Sequence, residues 1–227
     1  MRNKEIIFMD LGLIEYKKAW DFQEKLFKES LELKSQNKEI PNYLLFCEHS
    51  NVYTIGKSGS ENNLLLNNFE LQKKGVSFFK INRGGDITYH GPGQIVGYPI
   101  INLEAFSLGV KKYIFQLEEV IILTLKNYNI NAERLEGATG VWIDTHNKLK
   151  ARKICAIGVK ASRWITMHGF AFNVNTDLNY YNYINPCGFT DKGVTSMEKE
   201  LGEKLDFGEV KNLVKENFFR LFNQSLK

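Results

Sequence analysis

A chain of 227 residues, with 30 Lys and Arg against 26 Asp and Glu and a net charge of +4, is long enough for one domain with a full core. That mild surplus excludes a nucleic-acid platform, though it suits an acidic protein partner. Cys47, Cys155 and Cys187 stand far apart with no CxxC pair, so neither a disulfide framework nor a zinc site is indicated. Few apolar residues separate Met1 from Asp10, so neither a signal peptide nor a membrane span is expected, and the protein reads as cytoplasmic.

Ile6 to Met9 reads as a short strand ending at Asp10 and Gly12. Tyr16 to Leu33 follows as an amphipathic helix, with Ala19, Phe22, Leu26 and Ser30 on its apolar stripe. Tyr43 to Cys47 and Val52 to Ile55 are strands joined through Glu48 to Asn51. Val76 to Ile81 is another strand, and so is Ile95 to Ile101, where Pro99 predicts an edge or a bulge. The spacing of Val110, Ile114, Leu117, Ile121, Leu125 and Tyr128 predicts a long helix. Three more strands cover Val141 to Ile143, Ile154 to Val159 and Phe170 to Val174. A short helix over Val194 to Glu200 precedes a closing one marked by Val210, Leu213, Val214, Phe218, Leu221 and Phe222. This order gives an α+β fold, a mixed and mostly antiparallel sheet covered by helices.

Between two of these strands, Arg83 to Tyr98 departs from core composition, with five glycines among donors Arg83, Thr88, Tyr89 and His90. Glycines let backbone approach a ligand with no Cβ in the way. Strand alternation puts Thr88 and His90 on one face and Ile87 and Tyr89 on the other, which describes a strand lining a pocket with Gly84-Gly85 as its lip.

For a nucleophile, Cys187 lies in the turn-rich Asn185-Pro186-Cys187-Gly188, whereas Cys155 sits inside a strand and Cys47 ends an apolar run. A thiol of pKa near ~8.5 needs a neighbouring cation or base, and Lys153, His168 and His90 are the candidates. Alternation puts Lys153 on the same strand face as Cys155. Facing a pocket, Lys153 serves as a base; facing water, it is one member of the basic run Lys148, Lys150, Arg152, Lys153. Spacing also leaves a His-Cys hydrolase using His168 open.

Several blocks, taken together, resemble the lipoyl (octanoyl) transferase family. They are Arg83-Gly84-Gly85-x-Ile87-Thr88-Tyr89-His90-Gly91-Pro92-Gly93-Gln94, Lys153-Ile154-x-x-Ile157-Gly158, His168-Gly169-Phe170-Ala171-x-Asn173 and Asn185-Pro186-Cys187-Gly188. Glu48-His49 with Val52 to Gly56, and Gly193 to Ser196, extend the likeness over nearly the whole chain. Thr139 stands where the family usually has proline, and Asp86 occupies a position that varies.

The resemblance implies one catalytic domain over 1–227, with the fold of biotin and lipoate protein ligases. It implies an acyltransferase that takes octanoyl from octanoyl-acyl carrier protein and places it on a lysine of the lipoyl domains of 2-oxoacid dehydrogenase E2 subunits and of the glycine cleavage H protein. Neither ATP nor metal is implied, nor a nucleic-acid or membrane partner. In the family's pattern Cys187 carries the acyl thioester and Lys153 is its acid and base. The acyl site would be lined by Arg83, Gly84, Gly85, Asp86, Ile87, Thr88, Tyr89 and His90, with Ala156, Ile157, Gly158, Gly169, Phe170 and Ala171. An ATP-dependent lipoate or biotin ligase of the same fold would use Lys153 but have no need of Cys187, and a binding module would leave the thiol unexplained.

Overall fold

The computed structural model describes residues 4–147, 149–185 and 193–224. Its chain order is β1 (Ile6–Ile14), α1 (Tyr16–Ser35), β2 (Asn42–His49), β3 (Val52–Ile55), α2 (Asn68–Lys73), β4 (Ser77–Lys80), β5 (Ile87–His90), β6 (Gln94–Ile100), α3 (Val110–Lys126), β7 (Glu133–Leu135), β8 (Ala138–Ile143), β9 (Arg152–Ser162), β10 (Ile165–Asn173), β11 (Gly193–Val194), α4 (Met197–Leu201) and α5 (Phe207–Gln224). The large sheet runs β1-β2-β6-β10-β9-β8-β7, with β11 beside β9; β4-β3-β5 form a small sheet. Pairing is antiparallel except at β1/β2, β3/β4 and β9/β11. The expected mixed, mostly antiparallel α+β fold is therefore what the chain adopts.

Helix spacing decides which face each helix buries. In α1, Tyr16, Ala19, Gln23, Leu26, Phe27 and Ser30 form the buried stripe, while Lys17 and Asp21 pair on the outside at 2.6 Å. This stripe covers β6 and β10 together with Leu45, Val96, Tyr98 and Ala171. On the opposite sheet face, Leu117, Ile121 and Leu125 of α3 meet Val210, Val214, Phe218 and Phe222 of α5. Burying each such side chain contributes about 1.5–3 kcal/mol. Asn217 Nδ2 donates to Thr124 Oγ1 at 3.0 Å and satisfies a polar pair that both helices bury. None of the described helices is long and apolar enough to cross a membrane.

Several elements differ from expectation. β1 continues past Asp10 to Ile14 through a register shift, because Gly12, at φ +61°, absorbs the irregularity without ending the pairing. The strands on either side of Glu48 to Asn51 do not pair with each other; β2 stays in the large sheet and β3 crosses to the small one. Three elements, α2, β7 and β11, are not among the expected ones, although Asn67 and Glu70 form a capping box at the start of α2; Val194, expected to open a helix, instead pairs with Lys153 in β11, and α4 begins at Met197 behind its N-cap Ser196. Pro99 lies in β6, an interior strand rather than an edge. The β6/β10 ladder stops at Gly97, so the missing N–H of Pro99 breaks no bond there, and Thr166 Oγ1 donates to Pro99 O at 2.8 Å.

Candidate active site

A cavity of about 340 Å³ opens where the α1-side face of β6, β10 and β9 is left uncovered beyond α1 and the small sheet leans over it. That volume suits a small ligand or an acyl chain. Val96 and Tyr98 contribute from β6, Gly169 to Ala171 from β10, Ala156 to Gly158 from β9, and Ile87, Thr88 and His90 from β5. Arg83, Gly85 and Asp86 form the lip, Tyr16 reaches in from the first turn of α1, and Gly137 to Thr139 close the β8 side.

Arg83 holds the lip together. Its guanidinium donates to Gly84 O at 2.9 Å, Asp86 O at 2.8 Å, Thr54 O at 3.1 Å and Thr54 Oγ1 at 3.2 Å, so one side chain ties the glycine turn to β3. The backbone bond from Gly84 N to Val159 O, 3.1 Å, fastens that turn to the large sheet. A Cβ at Gly158 would lie 2.7 Å from both Arg83 Cδ and Gly84 O, which is why the two sheets approach here only across glycine.

Three buried histidines sit in or behind the inner wall, and their partners fix their tautomers. Gln94 Nε2 donates to Asn173 Oδ1 at 2.8 Å, which turns its Oε1 toward His90; His90 Nδ1–H therefore donates to it at 2.8 Å. His90 Nε2 is left to accept from the Thr54 hydroxyl at 3.4 Å. His49 Nδ1–H donates to Ile14 O at 2.9 Å and its Nε2 accepts from Tyr98 Oη at 2.7 Å. His168 Nε2 meets Asn82 Oδ1 at 3.2 Å. Burial lowers all three: His90 to about 3, helped by His49, His168 to about 3, helped by Arg83, and His49 to about 4. They are neutral near pH 7, so neither His90 nor His168 supplies a cation to stabilise a thiolate. Burial also drives the Cys47 and Cys155 thiols upward, away from reactivity.

Lys153 reaches the cavity from the opposite side. The expected sharing of one face with Cys155 does not occur. β8 and β9 slip register between Val141 and Trp142, and Ile154 and Cys155 both turn into the core while Lys153 and Ala156 line the cavity. Thr195 N donates to Lys153 O at 2.9 Å, and β11 lies parallel to Arg152 and Lys153. Arg152 clamps this edge, donating to Glu200 Oε1 at 2.7 Å and Oε2 at 2.5 Å and to Asp144, while Thr195 Oγ1 donates to Glu200 Oε1 at 2.5 Å. Among the described residues no group of three His, Cys, Asp or Glu is placed to hold a metal ion.

The cavity thus gathers Arg83, Gly85, Asp86, Ile87, Thr88, His90, Lys153, Ala156, Ile157, Gly158, Gly169, Phe170 and Ala171. Gly84 and Tyr89 fall outside its lining. Tyr89 follows the alternation of β5 to the far side, where its ring stacks on Tyr180 and its hydroxyl donates to Asn51 Oδ1 at 2.7 Å, whereas Ile87, expected on that same face, clusters with Tyr89 and Tyr53 and also reaches the cavity lining. Cys187 lies outside the described residues. Sequence reasoning missed Tyr16 and Gly137 to Thr139 as wall residues, since Tyr16 reads as ordinary helix core, and it held Val96 and Tyr98 within the glycine-rich stretch without assigning them to the wall; the Gly137-x-x-Gly140 spacing was the available signal for the loop group.

The profile of the lipoyl protein ligase A/B catalytic domain matches residues 15–219. An octanoyltransferase of Christiangramia forsetii is 53% identical over 232 residues, covering 99% of this chain and 99% of the relative. One of Parabacteroides distasonis is 56% identical over 215 residues, covering 95% and 97%. Among solved structures, the bi-partite lipoate protein ligase and its E2 lipoyl domain from Thermoplasma acidophilum aligns with a TM-score of 0.68 at 15% identity, covering 98% of this chain and 85% of that one. Biotin protein ligase from Aquifex aeolicus in complex with biotin and ATP gives 0.53 at 12%, covering 98% and 72%, so both share the fold. The chain belongs to the lipoyl protein ligase A/B catalytic-domain family.

Proposed function

We propose that this family member is an octanoyltransferase of lipoate biosynthesis, moving the octanoyl group of octanoyl-acyl carrier protein onto a lysine of lipoyl domains, including those of 2-oxoacid dehydrogenase E2 subunits and the glycine cleavage H protein, with residues 1–227 acting as one catalytic domain. The observation that carries the reading is a cavity of acyl-chain size with Lys153 on its wall, in a chain more than half identical to octanoyltransferases over nearly its whole length. That identity favours a transferase over an ATP-dependent ligase. Arg83, Gly85 to Thr88, His90, Ala156 to Gly158 and Gly169 to Ala171 would hold the acyl chain; Gly84 and Tyr89 would act behind them.

The chemistry balances with Cys187 as nucleophile and Lys153 as acid and base. The Cys187 thiolate attacks the donor thioester carbonyl, the carbonyl–sulfur bond of the donor breaks, and the leaving carrier thiolate takes a proton from the Lys153 ammonium. Neutral Lys153 then accepts a proton from the acceptor amine as that amine attacks the acyl-Cys187 thioester. An amide forms, Cys187 leaves as thiolate, and the ion pair is restored. Exchange of one thioester for another is nearly balanced, and amide formation draws the cycle forward.

Intact mass after mixing with octanoyl-loaded carrier protein tests this. Without ATP, the protein should gain one octanoyl group at Cys187 and lose it when a lipoyl domain is added. Cys187→Ala should abolish transfer, Lys153→Ala should lower it about 10²–10⁴-fold, and Cys47→Ala and Cys155→Ala should leave it largely intact. A Cys187→Ala protein that still turns over overturns the thioester route.

A further inference from the structure

Lys153 is seated by an aromatic ring that the chemistry above does not use. Trp142 stands directly opposite Lys153 in the β8/β9 ladder, so the two side chains share a face as cross-strand neighbours. The lysine Nζ lies over the indole, 4.7 Å from the ring centroid. Trp142 is only 1% exposed, and its Nε1–H donates to Ala138 O at 2.9 Å, which fixes the plane of the ring. The lysine stem runs past Gly140, where a Cβ would lie 3.4 Å from Lys153 Cε and 3.5 Å from Cδ. Gly140 takes φ +126°, and the buried carboxylate of Glu118 receives its N–H at 3.0 Å. Arg134 in turn donates to Glu118 Oε2 at 3.0 Å, so the irregular turn of β8 beside the ring is anchored from α3.

We propose that Trp142 is a positioning residue for acyl transfer: its anchored indole face holds the Lys153 ammonium on the cavity wall, at the place from which the lysine gives and takes protons. This rests on the function proposed above. A methylene stem with four rotatable bonds has a large rotamer freedom, and a ring that favours the ammonium above its face removes much of it before substrate arrives. The ring touches neither acyl donor nor acceptor in this scheme, so its loss acts on turnover and not on binding.

The test compares the full chain with Trp142→Leu, which is apolar without a π face, and with Trp142→Phe, which keeps a face without the indole N–H. Trp142→Met replaces the leucine variant should that one fail to fold. With octanoyl-loaded carrier protein and a lipoyl domain, kcat should fall about tenfold in Trp142→Leu at unchanged KM and stay within about threefold of wild type in Trp142→Phe. By NMR, the Lys153 Cε protons of the wild type should be shifted upfield by the ring current, a shift reduced in the phenylalanine variant and lost in the leucine one. A folded Trp142→Leu with wild-type kcat overturns the proposal, as does equal loss in the leucine and phenylalanine variants. Lack of any transfer by the wild type overturns the proposed activity instead; the ring-current shift then decides the seat, and its absence removes it.

Discussion

The two sides of the cavity are built by opposite means. On the β5 side, burial holds the histidines neutral and hydrogen bonds join His90 to Gln94 and Asn173, while Arg83 spends its donors on carbonyl and hydroxyl oxygens of the lip. On the β9 side, charge is retained: Arg152, Asp144 and Glu200 form ion pairs at the strand end that presents Lys153, and Arg134 pairs with Glu118 under β8. A wall that must accept an alkyl chain gains from having no titrating charge, because an imidazolium there would be desolvated each time the chain entered. A rim that must move protons needs a cation held in place. The difference separates shape from reactivity across one cavity.

The largest effect that distinguishes the two sides is the response to acid. Unfolded histidine has a pKa near ~6.5, and the folded values of His49, His90 and His168 are lower, about 4, 3 and 3. Their contribution to stability is complete above the unfolded value and is lost as pH falls below it toward the folded values, since only the unfolded chain then takes up protons. Each histidine costs on the order of 1 kcal/mol per pH unit within that window, so the three together lower stability by a few kcal/mol. Burial pushes the Glu200 carboxyl upward, but the Arg152 and Thr195 hydrogen bonds together outweigh it and leave the pKa below the ordinary carboxylate value, so the β9 clamp persists over the same interval. Urea midpoints measured at pH 7 and pH 5 should show the loss, and equal stability at both would break the comparison.

A smaller effect comes from Gly158→Ala, which puts a methyl group against Arg83 Cδ and Gly84 O where the small sheet meets the large one. Overpacking should cost about 1–3 kcal/mol, read from thermal or urea unfolding, and octanoyl transfer should fall with it because the lip shifts. Unchanged stability would mean that the lip gives way freely and is not the rigid wall described here.

The smallest effect is expected from Arg152→Ala. Its partners are partly solvated, so the loss should be about 1 kcal/mol in unfolding free energy, shrinking at high salt, rather than the several expected of a buried pair. A loss that salt does not change would place the clamp in the class of the β5 wall.

The sequence read alone determined which segments are strands and which are helices wherever the apolar period was long. The stripes of α1, α3 and α5 follow from residues such as Leu26, Leu117 and Phe218, whose spacing leaves one way to bury them, and the longer strands of the large sheet follow from their apolar runs, while the short β7 and β11 do not. It also marked most of the cavity wall, because a cluster of glycines and donors between apolar runs has few uses other than to approach something closely. What only the tertiary structure decided is how faces combine across elements distant in the chain. Alternation along β9 assigns Lys153 and Cys155 one face, but a register slip against β8 sends Cys155 into the core and leaves Lys153 over Trp142. Pro99 forbids a ladder bond, yet it sits in an interior strand because the β10 ladder ends short of it at Gly97. Tyr16 has the local signature of a core residue, and it becomes cavity wall because the small sheet leaves space over it. Periodicity is a property of one segment and can be read there; register slips and gaps between sheets arise from two segments meeting, and no single stretch of sequence contains them.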